Sequence, residues 1–182
     1  QYPMVTSEMS QGPRWGGLLT TEFVDEGPCY LTCGSYCCRH GRPDFQFRLL
    51  SGHSTTLFLL EDEFLYFKEH NLWPESGWSE PRRMVLYVAS SIEVVVMLVQ
   101  CQWDGKCNGH ATRPLHCRLY PFIPILSPAG ALRRIEPASI FDITDEVMGW
   151  GSPCTVSARK ETYFERWKSN PSALEYLRHP YI

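Results

Sequence analysis

The stretch MVLYVASSIEVVVMLVQC, Met84 to Cys101, carries the pattern that decides the fold. Met84–Val88 and Glu93–Gln100 are rich in β-branched residues, and Ala89-Ser90-Ser91 separates them, so the pair predicts a β-hairpin. The second strand ends on Cys101, and Asp104-Gly105 then turns the chain towards Cys107. Working outward, Phe122–Leu126 and Ala131–Ile135 flank Ser127-Pro128-Ala129-Gly130 and predict a second hairpin. Upstream, Phe45–Leu50 and Thr55–Leu59 have strand composition, and the second feeds a helix over Leu60–Glu69. There Leu60, Phe64 and Phe67 repeat at i, i+4 and i+7 as a buried stripe, while Glu61, Asp62 and Glu63 favour the positive N-terminal end.

Thr112–Tyr120 reads as a short helix with Pro114 in its first turn and Cys117 on it, stopped by Pro121. Pro137 starts a loop, Cys154 sits in a turn with Gly149, Gly151 and Pro153, and the tail holds helices over Ala158–Trp167 and Pro171–Leu177. The expectation is an α+β fold of small antiparallel hairpins and short helices organised around a Cys-rich metal site. An irregular arm, 1–28, packs through Trp15, Leu18 and Leu19, a Cys-rich domain spans 29–157, and a helical tail spans 158–182.

The 182 residues are 43% apolar and 20% charged, an ordinary globular mix that can build a core without covalent staples. Net charge is −3 with no basic run, which argues against nucleic acid as a partner. The longest apolar run, Val94–Val99, falls far short of the roughly 18 residues of a membrane span, so no spanning protein is expected. The chain opens on Gln1 with no charged-then-apolar leader, which reads as a processed or partial chain.

Eight cysteines stand at 29, 33, 37, 38, 101, 107, 117 and 154. Adjacent Cys37 and Cys38 bridge each other only through a strained ring, whereas soft thiolates gathered in a short loop suit zinc or an iron–sulfur cluster. The first cluster is Cys29-x3-Cys33-x3-Cys37-Cys38, with no C-x2-C knuckle, so a zinc ribbon and a two-histidine finger are disfavoured. The ferredoxin run is absent, and no H-x-E precedes Pro153-Cys154, which removes the zinc deaminase signature. An even cysteine count keeps a secreted, disulfide-bonded interaction domain as an alternative.

The run KCNGHATRPLHCRLYPF, Lys106 to Phe122, resembles the most recognisable stretch of the zinc- or iron-chelating domain family labelled by its CxxCxxCC cluster. Members read as a Cys-rich opening ending in CC, an acidic helix, Cys, a short gap, Cys, an R-P pair and C-R-x-[FY]-P-F. This chain repeats that order over roughly Cys29 to Cys154. Its opening gaps are three, three and zero instead of two, two and zero, and His110 stands where an aromatic is usual. The Cys-rich segment of the flagellin lysine N-methylases is distantly similar; that resemblance would imply an iron–sulfur cluster serving methyl transfer, an activity not carried over to this chain. No glycine-rich nucleotide loop accompanies it.

The candidate metal ligands are therefore Cys29, Cys33, Cys37, Cys38, Cys101, Cys107, Cys117 and Cys154, holding an iron–sulfur cluster, most simply 4Fe–4S, or zinc. Arg113 and Arg118 are cationic neighbours suited to support thiolate charge from outside the ligand shell. His40, His110 and His116 lie close enough to replace or assist a thiol, but a packed or solvated imidazole is the simpler reading. His116 beside Cys117 makes a poor catalytic dyad, because neighbours on a helix diverge, and Asp142, Asp145 and Glu146 fit a capped turn. No catalytic residue is assigned. The functional expectation is an accessory or electron-handling subunit in a larger protein assembly, in the cytoplasm if the thiols are reduced. A metal-dependent protein- or peptide-modifying enzyme is the alternative.

Overall fold

The computed structural model describes residues 14–24, 30–34, 56–72, 78–89, 92–101, 113–138, 143–144, 147–151 and 154–178. The expected strand Phe45–Leu50 lies outside them.

The hairpin read from Met84–Cys101 is the centre of the molecule. Strand β1 (Thr56–Leu60) and strand β2 (Arg82–Ala89) both pair antiparallel with strand β3 (Ile92–Gln100), in the order β1-β3-β2. Leu57 lies opposite Val99, and Val85 opposite Val95, with a register shift between Tyr87 and Ala89. As the middle strand, β3 is buried on both faces. Met97, Val99 and the following Cys101 face the main core with Leu57 and Leu59, while Val94, Val96 and Leu98 form a smaller cluster with Met84. Double burial explains why β3 reads as an unbroken apolar run and not as an alternation.

Among the described residues, the one-turn helices α1 (Trp15–Leu18) and α2 (Tyr30–Cys33) precede the sheet. Helix α3 (Glu61–Glu69) follows β1 directly and buries Phe64 and Phe67 against it, as its stripe predicts. Phe67 is fully buried, with its ring 5.2 Å from that of Trp78. Helix α4 (Leu115–Leu119) is shorter than the expected Thr112–Tyr120, because Pro114 is extended at ψ 161° and stands before the first turn. The second hairpin pairs β4 (Phe122–Leu126) with β5 (Leu132–Pro137). Pro137 belongs to the strand instead of opening a loop: it lies opposite Phe122, and the Ala138 amide continues the ladder by donating to the Pro121 carbonyl at 2.7 Å.

A 3₁₀ turn at Ser157–Arg159 leads into α5 (Lys160–Ser169), and Asn170 caps α6 (Pro171–Leu177) by accepting from the Ala173 amide at 3.2 Å. Trp167 of α5 is buried completely and donates through Nε1 to the Phe23 carbonyl at 2.8 Å. The main core cluster runs from Trp15, Leu18 and Phe23 through the sheet to Trp167, Tyr176 and Leu177, so arm, Cys-rich domain and tail all contribute to it. The fold is α+β. Among the described residues no helix is long and apolar enough to cross a membrane.

Candidate metal centre

Five residues cannot hold a helix by themselves, since nucleation costs more than one or two turns return. Helix α4, which carries Cys117, is instead fastened from outside. Leu115 and Leu119 are buried in the main core cluster. The Glu63 carboxyl group of α3 accepts from the Leu115 amide at 2.6 Å and from the Leu60 amide at 3.4 Å, joining the first turns of two helices. Arg118 donates from Nε to the Arg113 carbonyl at 2.8 Å and from Nη1 to the Thr21 carbonyl at 3.3 Å, tying the segment to the N-terminal arm.

The charges here are strongly perturbed. Burial pushes the Glu63 carboxyl up to about 8, against the two amides and Arg118, which favour its ionised form. Burial, with the repulsion of Arg113, draws Arg118 down to about 10, while Cys117 and Glu63 act the other way. The guanidinium thus stays charged at neutral pH and lies within electrostatic reach of both the thiol and the carboxyl. Arg113 adds cationic charge beside it and accepts through its carbonyl.

His116 and Cys117 do not diverge as helix neighbours are expected to. The His116 ring spans from strand to helix, with Nδ1 2.8 Å from the Phe58 carbonyl oxygen and Nε2 3.5 Å from Cys117 Sγ. A carbonyl only accepts, so Nδ1 carries the proton and Nε2 presents its lone pair to the sulfur. Burial pulls this imidazole down to about 4, against the hydrogen bond to Phe58, and it is neutral at pH 7. The expectation of a divergent pair fails because the ring is anchored on β1 and not held by its own helix.

Of the other candidate ligands, Cys101 is buried at the end of β3, as the hairpin reading implies, and forms an antiparallel bridge with Trp78, which that reading did not anticipate. Cys154 is buried in the core cluster just before the 3₁₀ turn. Cys33 ends α2, is half-buried and forms no disulfide. Cys29, Cys37, Cys38 and Cys107 lie outside the described residues, as do His40, His110, Asp142, Asp145 and Glu146. Among the described residues no three His, Cys, Asp or Glu side chains gather as a metal group; His116 and Cys117 come together as a pair. A thiol beside a lone-pair nitrogen fits zinc or iron as a donor set. A separate polar cleft of about 340 Å³ lies between the arm and the C-terminal helices, lined by residues such as Thr21, Arg166, Asn170, Glu175 and Tyr176, and includes no candidate ligand.

Sequence reading missed Glu63 as a site residue, although the signal was available. Glu63 stands three residues after Leu60 and four before Phe67, on the same face as the apolar stripe, where an acid must be buried and partnered. The Phe58 carbonyl carries no side-chain signal at all. Comparison of the chain with protein-family models, with curated proteins and with solved structures finds no match.

Proposed function

We propose that this chain is a metal-binding protein whose clustered cysteines hold an iron–sulfur cluster or zinc, and that it serves as an accessory or electron-handling subunit of a larger protein assembly. The observation that carries the reading is the way Cys117 is presented. Its short helix is fastened by Glu63 and Arg118, its sulfur faces a neutral imidazole, and a half-buried guanidinium lies within electrostatic reach. Such a thiol is held in one place beside a cation, which suits a metal ligand. The resemblance of Arg113-Pro114 and Cys117 to Phe122 to the CxxCxxCC family supports the same reading, and the remaining thiols would complete the coordination. When bound, the metal would supply structural cross-linking or, as a cluster, a redox centre. Here the chain's own residues fix the ligand and shield it. Reduced thiols would place the protein in a reducing compartment such as the cytoplasm.

The test is anaerobic purification of the full chain followed by elemental analysis, sulfide assay and a visible spectrum of one sample. Iron with labile sulfide and a brown charge-transfer band, or zinc without colour, is the expected result. Neither metal, with all eight cysteines unreactive towards thiol reagents after denaturation, would overturn the reading in favour of disulfides.

A further inference from the structure

We infer that His116 is itself a metal ligand, and that Nε2 of His116 with Sγ of Cys117 forms one edge of a tetrahedral zinc site of mixed nitrogen and sulfur donors. The inference rests on the metal-binding reading above and narrows it to one ion and one imidazole.

Three observations converge on the pair. The first is spacing. Zinc–sulfur and zinc–nitrogen bonds of about 2.3 and 2.0–2.1 Å at a tetrahedral angle put the two donors about 3.6 Å apart. The observed separation of Sγ and Nε2 is 3.5 Å. The second is tautomer. A ligating imidazole characteristically donates its other ring N–H to a carbonyl or carboxylate, which fixes the ring and leaves the second nitrogen free to bind. Nδ1 of His116 makes that bond to Phe58, at 2.8 Å, across 58 residues of sequence. The third is rigidity. Phe58 lies mid-strand in β1, opposite Leu98 of the central strand, so the carbonyl that aims the ring belongs to a strand held in register by its pairing with β3.

Binding is a proton exchange that balances. Cys117 gives up its thiol proton to solvent, Zn²⁺ takes the sulfur and the Nε2 lone pair, and His116 keeps its Nδ1 proton. An imidazole in the shell favours zinc over an all-thiolate four-iron cluster.

The experiment uses the chelator-stripped full chain reloaded with zinc alone, with X-ray absorption fine structure at the zinc edge recorded for wild type, His116→Gln and Cys117→Ser. The expected wild-type shell contains sulfur together with the outer-shell scattering of an imidazole. In His116→Gln the imidazole signal disappears, sulfur remains, and zinc competes against a chromophoric chelator at least about 10–100-fold less well. Loss of one sulfur is expected in Cys117→Ser. Wild-type zinc with sulfur neighbours only, or an imidazole signal undiminished in His116→Gln, overturns the inference while leaving the metal reading standing. A chain that retains an all-thiolate iron–sulfur cluster and refuses zinc has the same consequence. A chain that binds neither metal overturns both. The wild-type spectrum decides the donor set even if a variant fails to fold.

Discussion

The carboxyl group of Glu63 and the backbone amide of Leu115 meet at 2.6 Å, 52 residues apart in sequence, and through that bond the acidic helix sets where the cysteine-bearing helix begins. The side chain is 1% exposed, and its second oxygen takes the Leu60 amide, so removing it orphans two backbone donors. Each buried donor left unsatisfied costs about 1–3 kcal/mol. Glu63→Ala should therefore destabilise the chain by roughly 2–4 kcal/mol, the lower part of the summed range, because some solvent can enter. Urea unfolding checks this, and an unchanged midpoint would show that α4 is held by its leucines alone.

The same carboxyl makes stability depend on pH. Its folded value of about 8 lies above the unfolded value of 4.5, so the folded chain binds the proton more tightly. Its stabilising contribution is complete below pH 4.5 and is lost as pH rises through 8. His116 acts in the opposite sense. Its folded value of about 4 lies below 6.5, so its contribution is complete above pH 6.5 and is lost as pH falls through 4. In metal-stripped protein, Glu63→Gln should flatten the alkaline limb of the stability profile and His116→Gln the acid limb. Chemical denaturation at half-unit pH steps reads both; identical limbs in wild type and variants would mean that other groups control the dependence.

The elements that could be read directly were those in which one chemical signal dominates. The hairpin around β3, the stripe of Phe64 and Phe67, and Pro171 at the start of α6 each follow from local pattern, and each stands where it was expected. The site was less legible, because its geometry depends on main-chain groups brought from afar. Nothing in the residue type of Phe58 or Thr21 announces that its carbonyl will receive His116 or Arg118. The arm shows the same limit. Trp15 and Leu18 declare themselves as packing residues, but their neighbour Tyr176 lies at the other end of the chain.

That neighbour constrains Gly17. A β-carbon built there would approach the Tyr176 hydroxyl to 2.8 Å, and the hydroxyl is already engaged, donating to the Arg14 carbonyl at 2.6 Å. Gly17→Ala should cost about 1–3 kcal/mol as an overpacking change. Tyr176→Phe removes the obstructing oxygen, so the double variant should be less destabilised than the sum of the single ones. Additive losses in that cycle would show that the clash is relieved by movement of the arm and not at the hydroxyl.

Burial and ligation protect thiols for different reasons, and alkylation separates them. Cys101 and Cys154 are 6% and 8% exposed and sit among core side chains, whereas Cys33 and Cys117 are half-buried. In the metal-loaded chain every ligand sulfur should resist iodoacetamide, since the metal occupies its nucleophilic lone pair. After chelation under native conditions, Cys33 and Cys117 should become reactive within minutes. Cys101 and Cys154 should stay protected, because reagent reaches them only when the core opens, and their labelling should instead track the global unfolding free energy. Peptide mapping by mass spectrometry after timed labelling measures each site. If all four became reactive together on chelation, the metal would be what holds the core of this fold closed. If Cys117 remained inert with the metal removed, its protection would come from the packing of α4 alone.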